Sequence, residues 1–135
     1  MPDTSPRKEK LTADTDTVAL TADASTPIAE APYAGTVTSA TYTPSAAITG
    51  NTTETRSIAI INKGATGVGT TSVAALAFTT GVNAAASDEK ALTLSATAAN
   101  RVVAAGDILT FTSTHGGTTG LGDPGGLVQV EITRS

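Results

Sequence analysis

The chain has 135 residues, a length that fits one domain with a core of its own. Only 15% of residues are charged, the net charge is -4 and cysteine is absent, which excludes disulfides and thiolate metal sites and argues against a nucleic-acid-binding face. No apolar run approaches the ~18 residues of a bilayer span, so no membrane association is expected.

Residues 1–14 are polar and include Pro2 and Pro6. Too little apolar surface is present to order them, so they read as a flexible N-terminal arm ahead of a domain over 15–135. "MPDTSPRKEK" lacks the apolar core of a secretory signal, and synthesis in a cytosol is expected. Residues 16–32 are rich in Ala and Thr and include a short apolar run Val18 to Leu20; the segment as a whole reads as a first strand or an extended lead-in.

Strand-like segments then follow one another. "GTVTSATYT" (35–43) is dense in strand formers. "TRSIAIIN" (55–62) has a nearly continuous apolar run, the pattern of a strand covered on both faces. "SVAALAFTT" (72–80) places Leu76 and Phe78 on one face. In "KALTLSAT" (90–97), Leu92, Leu94 and Ala96 alternate with Thr93, Ser95 and Thr97. "DILTFTST" (107–114) turns Leu109 and Phe111 inward, and "LVQVEITR" (127–134) does the same with Val128, Val130 and Ile132. Period-two alternation of this kind builds sheets with one buried face. A further strand is expected near Val102–Val103, and a single turn of helix fits 84–89. The long Gly-, Ser- and Thr-rich connections suit an all-β, jelly-roll or Greek-key sandwich.

The candidates for chemistry are few. "GATGVGTT" (64–71) has phosphate-loop glycine spacing, but Thr70 stands where the lysine belongs. His115 is the only histidine, with Ser113 and Asp123 near it in sequence. A catalytic triad needs nucleophile, base and orienting acid from converging elements, and one strand end does not supply them. Asp88, Glu89, Asp107 and Asp123 are scattered, without calcium-loop spacing. Asp107 follows Gly106 in "AAGD", the chemistry of a tight turn. No catalytic residue, metal ligand or cofactor is expected, and the chain does not read as an enzyme.

Three segments carry a family likeness: "RSIAIINKGATGVGTT", "KALTLSATAANRVVAAGDILTF" and "DPGGLVQVEI". In this order, over residues 35–133, the chain resembles the small head decoration (head fibre, capsid cement) proteins of tailed bacteriophages. The resemblance implies a sandwich that binds the major capsid protein on the outside of the mature virion. It also implies a homotrimer at three-fold and quasi-three-fold positions, made in the host cytoplasm. Arg7, Lys8 and Lys10 on the arm are then candidate capsid contacts. A carbohydrate- or host-surface-binding module of a phage fibre is the alternative reading of the same fold.

Overall fold

A computed structural model of the chain describes residues 7–135. Strands dominate: β1 (Lys8–Thr15), β2 (Ala24–Glu30), β3 (Gly35–Pro44), β4 (Ile48–Thr49), β5 (Thr55–Asn62) and β6 (Thr71–Phe78). They are followed by β7 (Asn83–Ala84), β8 (Lys90–Ala91), β9 (Thr93–Leu94), β10 (Val102–Val103), β11 (Ile108–Gly116) and β12 (Gly126–Arg134). One 3-10 turn, Ala98–Arg101, precedes β10. The molecule is an all-β sandwich, as the alternation predicts.

The two layers share one pairing logic. The first sheet runs β1-β12-β3-β10, with β8 also on β3; the second runs β2-β11-β5-β6-β9. β1 lies against β12, β2 against β11, β3 against β8 and β10, and β5 against β6. The chain is thus folded back on itself as a nested antiparallel series, then wrapped into two layers. β4 and β7 form a separate small ribbon.

The inward residues follow from the period of two. Val128, Val130 and Ile132 of β12 are fully buried, as are Val37 and Tyr42 of β3. Across the layer gap stand Ile58 and Ile60 of β5, Phe78 of β6, and Leu109 and Phe111 of β11. The Tyr42 and Phe111 rings meet between the sheets at 5.4 Å with a tilt of 35°. Irregular register between Glu131 and Ile132 keeps both Val37 and Ala40 inward on β3, although they are three residues apart.

Several sequence expectations need correction. The flexible arm over 1–14 does not hold for Lys8–Asp14, which belong to β1; residues 1–6 lie outside the described residues. Leu11 packs against the core, and the β12 backbone pairs with β1 along its length, so a mostly polar segment is ordered by its neighbour. The domain therefore begins before residue 15. The segment 16–32 divides: Ala24–Glu30 forms β2, while in the run Val18 to Leu20 only Val18 pairs, by one isolated bridge to Asp123. Segment 90–97 is not continuous either. β8 pairs with β3 and β9 with β6, so the chain changes layers at buried Leu92, and Ala96 is exposed. No helical turn forms at 84–89, where Ser87 takes a positive φ of 63°. The outer face of β5 is only half-covered, with Ala59 and Ile61 part-exposed.

Truncating Phe111 to alanine empties the middle of the layer gap. Phe111→Ala is expected to cost about 3–5 kcal/mol, measured by urea unfolding of the folded variant.

Candidate functional site

The densest polar cluster among the described residues lies inside the sandwich. Arg56 sits on β5 in phase with Ile58 and Ile60, so its side chain points inward and is fully buried. A guanidinium has five N–H donors, and all five are used. Nε donates to the Leu121 carbonyl at 2.6 Å. One terminal nitrogen donates to the Ala22 carbonyl at 2.9 Å and to Ser113 Oγ at 3.4 Å. The other donates to the carbonyls of Ala19 and Leu20 at 2.9 and 3.2 Å. Burial pulls the Arg56 pKa below its usual value, while the Asp123 and Asp23 carboxylates oppose that shift.

Asp123 completes the cluster from the loop before β12. Its Oδ2 accepts from Ser113 Oγ at 2.7 Å, and its Oδ1 accepts from the Tyr42 hydroxyl and from Gly125 N–H, the latter at 3.0 Å. Burial, then the bond to Asp123, pushes the Tyr42 phenol up. The order Arg56, Ser113, Asp123, Tyr42 therefore links β5 and β11 of one sheet to β3 of the other. Ser113 relays between cation and anion. Its hydroxyl proton is committed to Asp123, and His115 is bound elsewhere, so the three residues do not assemble as a triad.

His115 instead meets Asp23. Asp23 Oδ1 lies 2.7 Å from His115 Nδ1 and accepts His115 N–H at 2.9 Å. The backbone bond is the main reason the Asp23 pKa is held below the ordinary carboxylate value. Glu54 acts in the same way on the neighbouring loop. Its Oε2 accepts the N–H groups of Gly120 and Thr119, and these bonds hold its pKa low against the opposing effect of burial. Asp23, Glu54 and Asp123 together fasten His115 and the loop 117–125 that follows it.

Asp107 does what its sequence context suggests. Its Oδ2 accepts the Ala104 N–H at 2.9 Å and Asn62 Nδ2 at 3.0 Å, and Gly106 supplies the positive φ of 90°. Asp88 and Lys90 form an ion pair of 3.3 Å with both side chains partly exposed. Lys8 and Lys10 project from the outer face of β1, with Lys10 opposite Glu131. The Arg7 carbonyl receives Arg134 N–H at 2.7 Å. No group of three or more His, Cys, Asp or Glu side chains is placed to hold a metal among the described residues.

Two surface grooves border the cluster. One, of about 460 Å³, is lined by Asp14, Asp16, Thr43, Ser45, Ser87 and Pro124. The other, of about 400 Å³, is more apolar, with Val18, Leu20, Ala47, Ile48 and Leu121. Neither holds an exposed aromatic ring: Tyr42 is buried, and Tyr33 lies under the Arg134 guanidinium at 5.7 Å. No helix among the described residues is long and apolar enough to cross a membrane. No protein-family model matches the chain, nor does any curated protein or solved structure.

No sequence motif marks the Arg56 cluster, although one signal is present. Arg56 falls two and four residues before Ile58 and Ile60, a core phase occupied by a cation. Nothing in the sequence pairs Asp123 with Tyr42, which are 81 residues apart.

Asp123→Ala leaves Tyr42, Ser113 and Gly125 N–H without a partner beside a buried cation, so it is expected to cost about 3–5 kcal/mol by urea unfolding. Asp107→Asn keeps the turn and is expected to cost no more than about 1 kcal/mol. For Glu54 the folded pKa is depressed, so its contribution is complete above the unfolded carboxyl pKa and is lost as pH falls through the folded value. Acid titration followed by NMR should shift the Thr119 and Gly120 amides together, and Glu54→Gln should abolish that shared transition.

Proposed function

We propose that the chain is a structural virion protein that decorates and stabilises the outside of a tailed-phage capsid. In this reading it binds the major capsid protein as a trimer at three-fold and quasi-three-fold positions. The observation that carries it is the use made of the polar side chains. Arg56, Ser113, Asp123, Glu54, Asp23 and Asp107 hold loops and layers together. That suits a protein whose task is to remain rigid and cover area. The nested strand order also supports a jelly roll as the finer description of the sandwich. Many copies on a lattice reinforce one another, so each contact can be weak.

Lys8 and Lys10 are the best-placed capsid contacts. They stand on the outer face of an edge strand, beside Arg7, with no ion pair within 4 Å among the described residues. The alternative, a carbohydrate-binding module of a phage fibre, draws support from the hydroxyl-lined groove beside Asp14 and Asp16. It is weakened by the engagement of both tyrosines, since sugar sites favour exposed rings.

The test is co-sedimentation with mature heads of the encoding phage from which this protein has been stripped. Binding is expected to saturate. The double variant Lys8→Glu, Lys10→Glu should bind roughly tenfold more weakly at low salt, with the gap narrowing as salt rises. A chain absent from purified virions and unable to bind stripped heads would overturn the reading. Signal on a glycan array without head binding would favour the alternative.

A further inference from the structure

Charge is segregated along the strands. One end of the sandwich carries Arg7, Lys8, Lys63 and Arg134, beside Glu9, Glu30 and Asp107. The other end carries Asp14, Asp16, Asp23, Glu54 and Asp88. The cations near that second end are already engaged: Arg56 is buried and Lys90 is paired with Asp88.

At this acidic end the two grooves join. Thr17 and Pro124 line both, so the apolar groove of about 400 Å³ runs into the groove of about 460 Å³ that carries Asp14 and Asp16. The apolar half is shaped by Arg56. Its walls are the connection 16–23 and the loop 117–125, and the guanidinium holds the Ala19, Leu20 and Leu121 carbonyls inward. Backbone bonds of 2.8 and 3.0 Å between Val18 and Asp123 tie the two walls together. With its carbonyl held inside, Leu20 leaves its side chain outside, 55% exposed and packed near Gly122. A leucine fixed in the open beside a preformed apolar groove marks a contact surface.

We propose that this cleft binds an extended segment of a partner protein in which an aliphatic side chain neighbours lysine or arginine. Three observations select that occupant. The groove of Val18, Leu20, Ile48 and Leu121 offers an aliphatic side chain a site within the range of about 300–1,000 Å³ common for ligands. Asp14 and Asp16 in the adjoining groove are exposed and have no ion pair within 4 Å among the described residues, so both can meet a cation. The carboxylates around this end repel nucleic acid, anionic lipid and acidic peptides. Because Arg56 fixes both walls before binding, little ordering is lost on association. The cleft lies at the far end of β1 from Lys8, so it is separate from the proposed capsid contact and does not rest on that reading.

The test uses the purified full chain and a capped hexapeptide alternating leucine and lysine, followed by amide NMR. The amides of Val18, Leu20 and Gly122 are expected to shift together and to saturate below about 1 mM peptide. Exchanging lysine for glutamate, or leucine for serine, in the peptide should weaken binding at least about tenfold. Leu20→Ser removes an exposed side chain and should weaken binding about tenfold with the fold intact by circular dichroism. Gly122→Leu adds a side chain where a Cβ meets nothing closer than 3.6 Å, and should block the groove to a similar degree. Asp14→Asn with Asp16→Asn should weaken binding about threefold at low salt, with the difference vanishing at high salt. If Gly122→Leu does not fold, Leu20→Ser carries the test. Absence of saturable shifts at these amides, equal binding of the glutamate peptide, or wild-type binding by folded Leu20→Ser overturns the proposal. A mass that rises with protein concentration and is returned to 13.3 kDa by Leu20→Ser would seat a second copy in the groove and would also overturn it.

Discussion

A cation inside a β-sandwich sets the terms for everything around it. The buried Arg56 guanidinium is cut off from water, so it must be solvated by the protein itself. Four of its five hydrogen bonds go to main-chain carbonyls, three of them on the β1 to β2 connection and one on the loop before β12. The fifth reaches Ser113, and through it Asp123 and Tyr42. Two irregular loops thus acquire definite positions because a buried charge needs their oxygens. A hydrophobic residue at position 56 would fill the volume and leave those carbonyls to find other donors. The arrangement matches the general pattern in which a buried charge is tolerated only inside a fully satisfied network.

The strands with a clean alternation are legible from sequence, and for a physical reason. In β12, and in β11 apart from buried Thr110, one face meets the core and the other is at least part-exposed, so composition records both environments. The misreadings fall where tertiary context replaces local pattern. β1 has only Leu11 and Ala13 as apolar inward residues, too few to mark a strand without knowing that β12 lies alongside. The segment around Leu92 alternates well, but its backbone partners belong to different layers, a fact that no local periodicity encodes. Asp107 is readable because Ala104 and Gly106, which shape its turn, are neighbours in sequence. The Asp123 to Tyr42 bond joins distant residues and leaves no trace that a single sequence can show.

The surface repeats this division of labour. Carboxylates near the loop 117–125 are spent on backbone amides, as with Glu54 on Thr119 and Gly120. Charges on the first sheet remain available on its outer face. The second sheet presents mainly hydroxyls and methyl groups, a chemistry suited to close packing rather than to recognition of a particular ligand.

The nested pairing has a consequence for how the chain becomes folded. Among the described residues β1 finds its only sheet neighbour in β12, and β3 is flanked by β12 as well. The first layer therefore lacks its central member until β12 has left the ribosome. Closing pairs so remote in sequence means a large loss of chain entropy before most of the stabilising contacts exist, which slows folding into the millisecond to second range common for such topologies. During synthesis the growing chain is committed to waiting, with β5 and β6, consecutive along the chain, as the segment able to pair early.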